Sequence, residues 1–263
     1  MDIVIIKRTL ILLLMVGICW AWGCMTSSAG SQVGKETCAV DMVLKQLNQK
    51  TTALKSYQSQ IEYLFSQPLL NSQTLRQGVL YYQRDGGKSA LRINFRNLKQ
   101  DDEEEQEYIE HYIFDGVWLT HIDYQIKQVK RHQLAEPKEP VDAFELASKN
   151  FPIIGFSKVE ELKMGFEIKL VERQGSEAKD FAQLHLKPKP DSIYKDDYTF
   201  IDFWIDKELG LPAKIVAVST AEDIYHIKFL EPQVNKSIHR NVFDFEVPKG
   251  FGVEVIPLKK KAG

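Results

Sequence analysis

The feature that most constrains this chain is an alternation of apolar and charged residues with a period of two, repeated in segment after segment. Phe166, Ile168 and Leu170 alternate with Glu167 and Lys169. Ile201, Phe203 and Ile205 alternate with Asp202 and Asp206, and Tyr225, Ile227 and Phe229 with His226 and Lys228. Successive side chains of a strand point to opposite faces, so each segment predicts a strand with one dry and one wet face, the signature of antiparallel sheets covered on one side. Phe243, Phe245 and Val247, opposed by Asp244 and Glu246, predict a further strand. In GVLYYQR, Leu80, Tyr82 and Arg84 share a face; DGGK makes a turn; in ALRINF, Leu91, Ile93 and Phe95 share the next face. This is a hairpin, and HYIFDGVWLTHIDYQIKQV, residues 111–129, predicts another around Asp115-Gly116.

The period differs upstream. Val40, Leu47, Leu54 and Ile61 recur seven apart, with Val43, Leu44, Tyr57 and Leu64 beside them, which predicts one long amphipathic helix ended by Pro68. The run DDEEEQE, residues 101–107, reads as a solvated loop, with docking of a partner as the alternative use. Between Pro140 and Pro152, Val141, Phe144 and Ala147 share one side of a predicted short helix. Short linkers make consecutive strands antiparallel neighbours, and no βαβ rhythm, repeat or low-complexity break divides the chain. The expected fold is mainly β with α: about eight to eleven strands in an unclosed antiparallel barrel, a curled sheet, with the long helix and a short helical lid over a hydrophobic cavity. Such a cavity suits an apolar ligand.

Lys7 and Arg8 precede TLILLLMVGICWAWG and the small-residue stretch TSSAGS. That order is a secretory signal, expected to be cleaved after Ala29; the apolar run, roughly 15 residues, is short of the ~20 that span a bilayer. AWGC, ending at Cys24, gives lipidation of Cys24 as the less favoured alternative. Cleavage after Ala29 removes Cys19 and Cys24 and leaves Cys38 alone, so no internal disulfide is expected and the core must hold the fold. With 34 basic and 36 acidic residues the formal charge is −2, which argues against nucleic acid as a partner. A single domain is expected over residues 36–258.

The sequence offers no H-E-x-x-H, C-x-x-C, G-x-S-x-G, Walker A or complete G-x-G-x-x-G. His111 and His121 could approach across a hairpin, but two histidines without a third ligand make a poor metal site. Asp115 is explained by its turn with Gly116, and the Asn235-Lys236-Ser237 sequon is a short chance-prone match. No catalytic residue, metal or cofactor is expected, and the chain is not expected to be an enzyme.

In order along the chain, the signal, IEYLFSQ, GVLYYQRDGGKSALRINF, DGVWLTHID with its following QV, and FDFEVPKGFGVEVI resemble the motifs of the periplasmic outer-membrane lipoprotein carrier family, LolA and the lipoprotein-sorting proteins. The resemblance implies an unclosed barrel whose cavity takes the acyl chains of lipoproteins from an inner-membrane exporter and passes them to an outer-membrane acceptor, the protein being a periplasmic monomer. It implies that Arg84 bonds lid backbone and holds the empty form closed, and that Trp118 is structural or lines the cavity. The other lining positions are those of the alternating strands: Leu80, Tyr82, Leu91, Ile93, Phe95, Phe166, Ile168, Ile201, Phe203, Ile205, Tyr225, Ile227 and Phe229. Asp85 stands where the family has proline, a departure next to the gating position. A lipid-anchored acceptor of the same fold, or a periplasmic sensor or lipid-binding module, are the alternative functions.

Overall fold

The computed structural model describes residues 29–143, 159–172 and 177–258. The expected signal up to residue 28, Cys24 included, lies outside them, as does the predicted short helix beyond Ala143. Among the described residues no helix is long and apolar enough to cross a membrane.

The first described element is α1, Ala29–Thr52. Val40, Leu44 and Leu47 recur at helical spacing and are buried. The helix closes with the Thr51 hydroxyl donating to the Leu47 carbonyl at 2.8 Å and the Ala53 amide to Gln49 at 3.0 Å. Here the single long helix expected from the sequence is corrected: Ser56–Gln67 is a strand, β1. Tyr57, Ile61 and Tyr63 alternate with Gln58, Gln60 and Glu62, and the pairing of Tyr63 with Ile227 and of Ile61 with Gly78 puts this face among apolar neighbours. Leu54 and Ile61 are buried as the seven-residue spacing requires, but on a loop and a strand.

Eleven more strands follow: β2 Ser72–Asp85, β3 Lys88–Gln100, β4 Gln106–Phe114, β5 Trp118–Asp123 and β6 Gln128–Gln133; then β7 Phe166–Val171, β8 Phe181–Pro188, β9 Tyr198–Asp206, β10 Pro212–Ser219, β11 Ile224–Val234 and β12 Gly252–Ile256. Short helices α2, Val159–Gly165, and α3, Glu177–Asp180, precede β7 and β8. The strands form one unclosed twelve-stranded sheet, ordered β12-β6-β5-β4-β3-β2-β1-β11-β10-β9-β8-β7. Two meanders, β1 to β6 and β7 to β11, are joined where β1 pairs with β11. The predicted hairpins are present: Gly86 and Gly87, both at positive φ, turn β2 into β3, and Asp115 caps the β4–β5 turn by accepting from the Val117 and Trp118 amides at 2.9 and 2.7 Å. Gly78 marks a bulge of β2 against β3; a Cβ there would stand 2.0 Å from the Asn94 carbonyl oxygen, so the strands approach too closely for any side chain.

A second correction concerns the C-terminal region. Phe243, Phe245 and Val247 alternate as a strand would, yet no strand forms there. The Arg92 guanidinium donates to the Val242 and Asp244 carbonyls at 2.8 and 2.9 Å, which takes acceptors a ladder would use. Phe245 packs instead, with Tyr124 and Phe251, over Ile113, Ile122 and Val129 on the outer side of the sheet. The strand is β12, and it pairs with β6 in parallel, against the antiparallel expectation.

Candidate functional site

The ladders carry one apolar face across the sheet. Ile168 stands beside Leu186, Leu186 beside Ile201, and Ile201 beside Ala217; one row along, Leu184, Phe203, Ile215 and Ile227 follow, then Tyr63. In the other meander Tyr57, Tyr82, Leu91 and Phe114 form one row and Leu80, Ile93 and Tyr112 the next. The predicted lining positions Leu80, Tyr82, Phe95, Phe166, Ile201, Phe203, Ile205, Ile227 and Phe229 are buried in one cluster, and Leu91, Ile93, Ile168 and Tyr225 pack against it. This face is occupied: Val40, Leu44 and Leu47 of α1 belong to the same cluster. In this structure Val159 and Leu162 of α2 lie with these α1 residues against the face where the sequence predicts a hollow.

Trp118, expected to be structural or cavity-lining, faces away from the apolar cluster. On β5 the inward residues are Leu119, His121 and Asp123, opposite Phe114, Tyr112 and Glu110. Trp118 lies on the outer side, where the Arg131 guanidinium stacks 4.8 Å from its ring and 5.3 Å from that of Phe245. Arg131 thus lies over both the Trp118 ring and that of Phe245 in the C-terminal segment. His111 and His121 are likewise on opposite faces and do not meet. His111 sits 3.3 Å from the Arg92 guanidinium, and burial, followed by the charges of Arg92 and Arg96, pushes its pKa down to about 4.

Arg84 continues the inner row of Leu80 and Tyr82 to the edge of the sheet. One of its terminal nitrogens donates to the Thr52 carbonyl, at the end of α1, at 3.1 Å. Its Nε and other terminal nitrogen reach Asp142 Oδ2 at 3.3 and 3.1 Å, and its guanidinium lies 5.7 Å from the Tyr82 ring centre. Next to it the Ser89 hydroxyl accepts from the Ala143 amide at 2.7 Å. On the other meander Gln46 donates to the Lys207 carbonyl at 3.1 Å, and Gly210, at positive φ, lies flat beneath Gln46 and Lys50. The end of α1 is thus held to both meanders by polar contacts around an apolar seat. Asp85 pairs with Lys88 in the hairpin ladder and takes no part in the Arg84 contacts.

One polar cluster, which sequence reasoning missed, interrupts the inner face. Buried Glu110 receives Tyr112 at 2.8 Å, pairs with His121 Nε2 at 2.7 Å, and faces Arg76 at 3.3 Å. Tyr112 and His121 stack at 4.5 Å. Burial works to raise the Glu110 pKa, but the His121 bond, Arg76 and Tyr112 outweigh it and hold it below the ordinary value. Burial and the Glu110 charge together raise the Tyr112 phenol far above its usual range. Ligating atoms of Glu110, His121 and Asp123 lie within 4.8 Å of one another, a spacing that admits a metal ion. Arg76 already supplies the cation that a buried carboxylate requires. The signal in the sequence was the alternation of Tyr108, Glu110 and Tyr112, which puts a carboxylate on the aromatic face.

No protein-family model and no curated protein matches the chain. Among solved structures it is similar to an uncharacterized conserved protein from Thermus thermophilus, at 9% identity and a TM-score of 0.49, over 82% of this chain and 99% of that one. It is similar to a structure of the Pseudomonas aeruginosa MucA/MucB complex at 12% identity and a TM-score of 0.45, over 79% of this chain and 61% of that one. A LolA superfamily protein from Nitrosomonas europaea matches at 10% identity and a TM-score of 0.36, over 78% and 97%.

Proposed function

We propose that this chain is a periplasmic carrier that takes acyl chains of lipoproteins onto the inner face of its sheet, α1 giving way as they enter, and moves them from an inner-membrane exporter to an outer-membrane acceptor. The observation that carries the reading is the broad apolar face on which α1 is seated, its end fastened by polar contacts. Burying a methylene is worth about 0.8 kcal/mol, so an acyl chain can replace the contacts α1 gives up. Binding and release are the whole of its chemistry in this reading; no bond is made or broken. The sequence resemblance supplies the class of cargo and the direction of transport.

The test is a solvent extract of protein purified from a periplasm that makes lipoproteins, analysed by mass spectrometry together with the mature N-terminus. Acyl species bound near one per chain, and a free N-terminus, are expected. A diacylglyceryl group on Cys24 would instead make the chain an anchored acceptor. Free fatty acids or phospholipids in place of lipoprotein would make it a general lipid-binding module. An acyl-free extract, with no uptake of a fluorescent fatty acid, would remove the reading.

A further inference from the structure

We propose that the tip between β1 and β2, with the groove behind it, docks a protein segment that presents an apolar side chain flanked by lysine or arginine. This stands apart from the acyl-binding face and does not depend on it.

The tip is the 3-10 turn Pro68–Leu70, with Asn71 in the left-handed region at φ 49°. Leu69 and Leu70 are 75% and 68% exposed, among the most exposed aliphatic side chains described. Isolated exposed leucines are ordinary. Two in succession on a fixed turn are less so, and this turn is fixed: β1 and β2 stay paired to Gln67 and Ser72, and Gln67 donates to Asp223 at 3.3 Å. Beside the tip runs the acidic turn. The Gln73 amide donates to Asp101 Oδ1 at 2.6 Å, the Asp101 amide to the Gln73 carbonyl at 2.8 Å, and Gln100 to the Ser72 hydroxyl at 2.9 Å. These bonds fix Asp101 beside the tip, and residues 102–105 beyond it are exposed, Glu105 accepting from the Asn97 side-chain amide at 2.7 Å. On the outer side of the sheet a groove of about 380 Å³ adjoins them, with Leu64 and Leu75 in its lining, Asp101, Asp102 and Glu62 as its acids, and Lys228 among its cations.

An apolar tip whose border is five consecutive carboxylates selects among occupants by charge. Like charge repels nucleic acid and an anionic bilayer, and inserting the leucines into any bilayer would press the carboxylates against its headgroups. A basic, apolar protein segment meets both demands: its aliphatic side chain covers the leucines or enters between Leu64 and Leu75, and its cations face residues 101–105.

The experiment measures fluorescence anisotropy of a labelled lysine–leucine peptide of about ten residues against the full mature chain; a border pair lies within a Debye length of about 10 Å at 0.1 M salt, so moderate salt suffices. Lysine-only and glutamate–leucine peptides, and vesicles of phosphatidylethanolamine and phosphatidylcholine, serve as comparators. Expected is tightest binding of the lysine–leucine peptide, weakened at least ten-fold by Leu69→Ser with Leu70→Ser, and equally by Asp102→Asn, Glu103→Gln, Glu104→Gln and Glu105→Gln together. Lys228→Gln, which removes a cation from the groove, should tighten it; this change of opposite sign keeps the test intact if a tip variant folds poorly. Equal binding of the lysine-only peptide, indifference to the tip and acidic variants, leucine-dependent capture by vesicles, or leucine-dependent self-association in sedimentation would each overturn the proposal.

Discussion

Replacing Arg84 by leucine tests whether the inner face is held shut by one side chain. The change removes the 3.1 Å bond to the Thr52 carbonyl, both contacts with Asp142 and the stacking on Tyr82, while an aliphatic stem still covers the sheet edge. A charge-assisted bond to a carbonyl is worth about 1.5–3 kcal/mol. The ion pair, with both side chains 29% exposed, adds at most about 1 kcal/mol. Because Asp142 lies outside α1, that pair is the same whether the helix end is seated or released, so the Thr52 bond alone, about 1.5–3 kcal/mol, raises the population with the end of α1 released by roughly 10- to 140-fold. Hydrogen exchange reads this directly at the Ala53 and Leu54 amides, which bond to Gln49 and Thr51 in the last turn. They should exchange faster by that factor while the strand amides of β9 and β10 keep their protection. In a transfer assay with outer-membrane vesicles the variant should load cargo normally and release it slowly, because closure no longer competes with the acyl chains. Wild-type exchange at Ala53 and Leu54, or wild-type transfer, would refute the reasoning; acceleration of every amide alike would show that Arg84 supports the fold as a whole and not the seat of α1.

Further outcomes follow from the same geometry. Phe203→Asp puts a lone charge where the ring is fully buried between Leu184 and Ile215, so chemical denaturation should show a loss of several kcal/mol, whereas Lys228→Gln, half exposed against Glu62, should change stability by less than about 1 kcal/mol. Gly78→Ala drives a Cβ onto the Asn94 carbonyl and should cost about 1–3 kcal/mol or abolish expression; an unchanged melting temperature would contradict the close approach. His111 is held neutral in the fold, at about 4 against an ordinary 6.5, so its contribution is present above pH 6.5 and is lost as pH falls toward 4; guanidinium titrations at pH 7 and pH 4.5 should show a smaller difference in His111→Asn than in the parent.

The fold was legible wherever one face is dry and the other charged. In β9 and β11 the alternation alone assigns Phe203 and Ile227 inward and Asp202 and Lys228 outward, and the ladders agree. Where both readings of a pattern satisfy burial, local sequence is silent. Val40, Leu47, Leu54 and Ile61 suit a helix, yet the alternation of Tyr57, Ile61 and Tyr63 also suits a strand, and the interior Ser59 disguises it. The deciding neighbour, β11, begins at Ile224, far beyond any local window. Trp118 was placed by a motif resemblance and not by periodicity, and a motif fixes a position in sequence without fixing which face of a strand that position takes. For Phe243 to Val247 the deciding partner is a side chain, Arg92, which no periodicity can announce. At the candidate site the row of Leu80, Tyr82 and Arg84 was readable as one face, but the Thr52 and Asp142 acceptors required the helix to end where only tertiary pairing ends it.

The junction of β1 with β11 sets the order in which this chain can be assembled. The first meander, through Gln133, is complete as a local structure long before Ile224 appears, and until then one flank of β1 presents unpaired amides and carbonyls alongside Ile61 and Tyr63. Such a flank invites pairing with another chain. Because α1 is fastened to Arg84 on one side and to the Lys207–Gly210 turn on the other, it cannot seat before the two halves join, so the apolar face and the open flank are vulnerable over the same interval. A chain built this way should fold slowly, through distant pairing, and gain most from a holding chaperone during that interval.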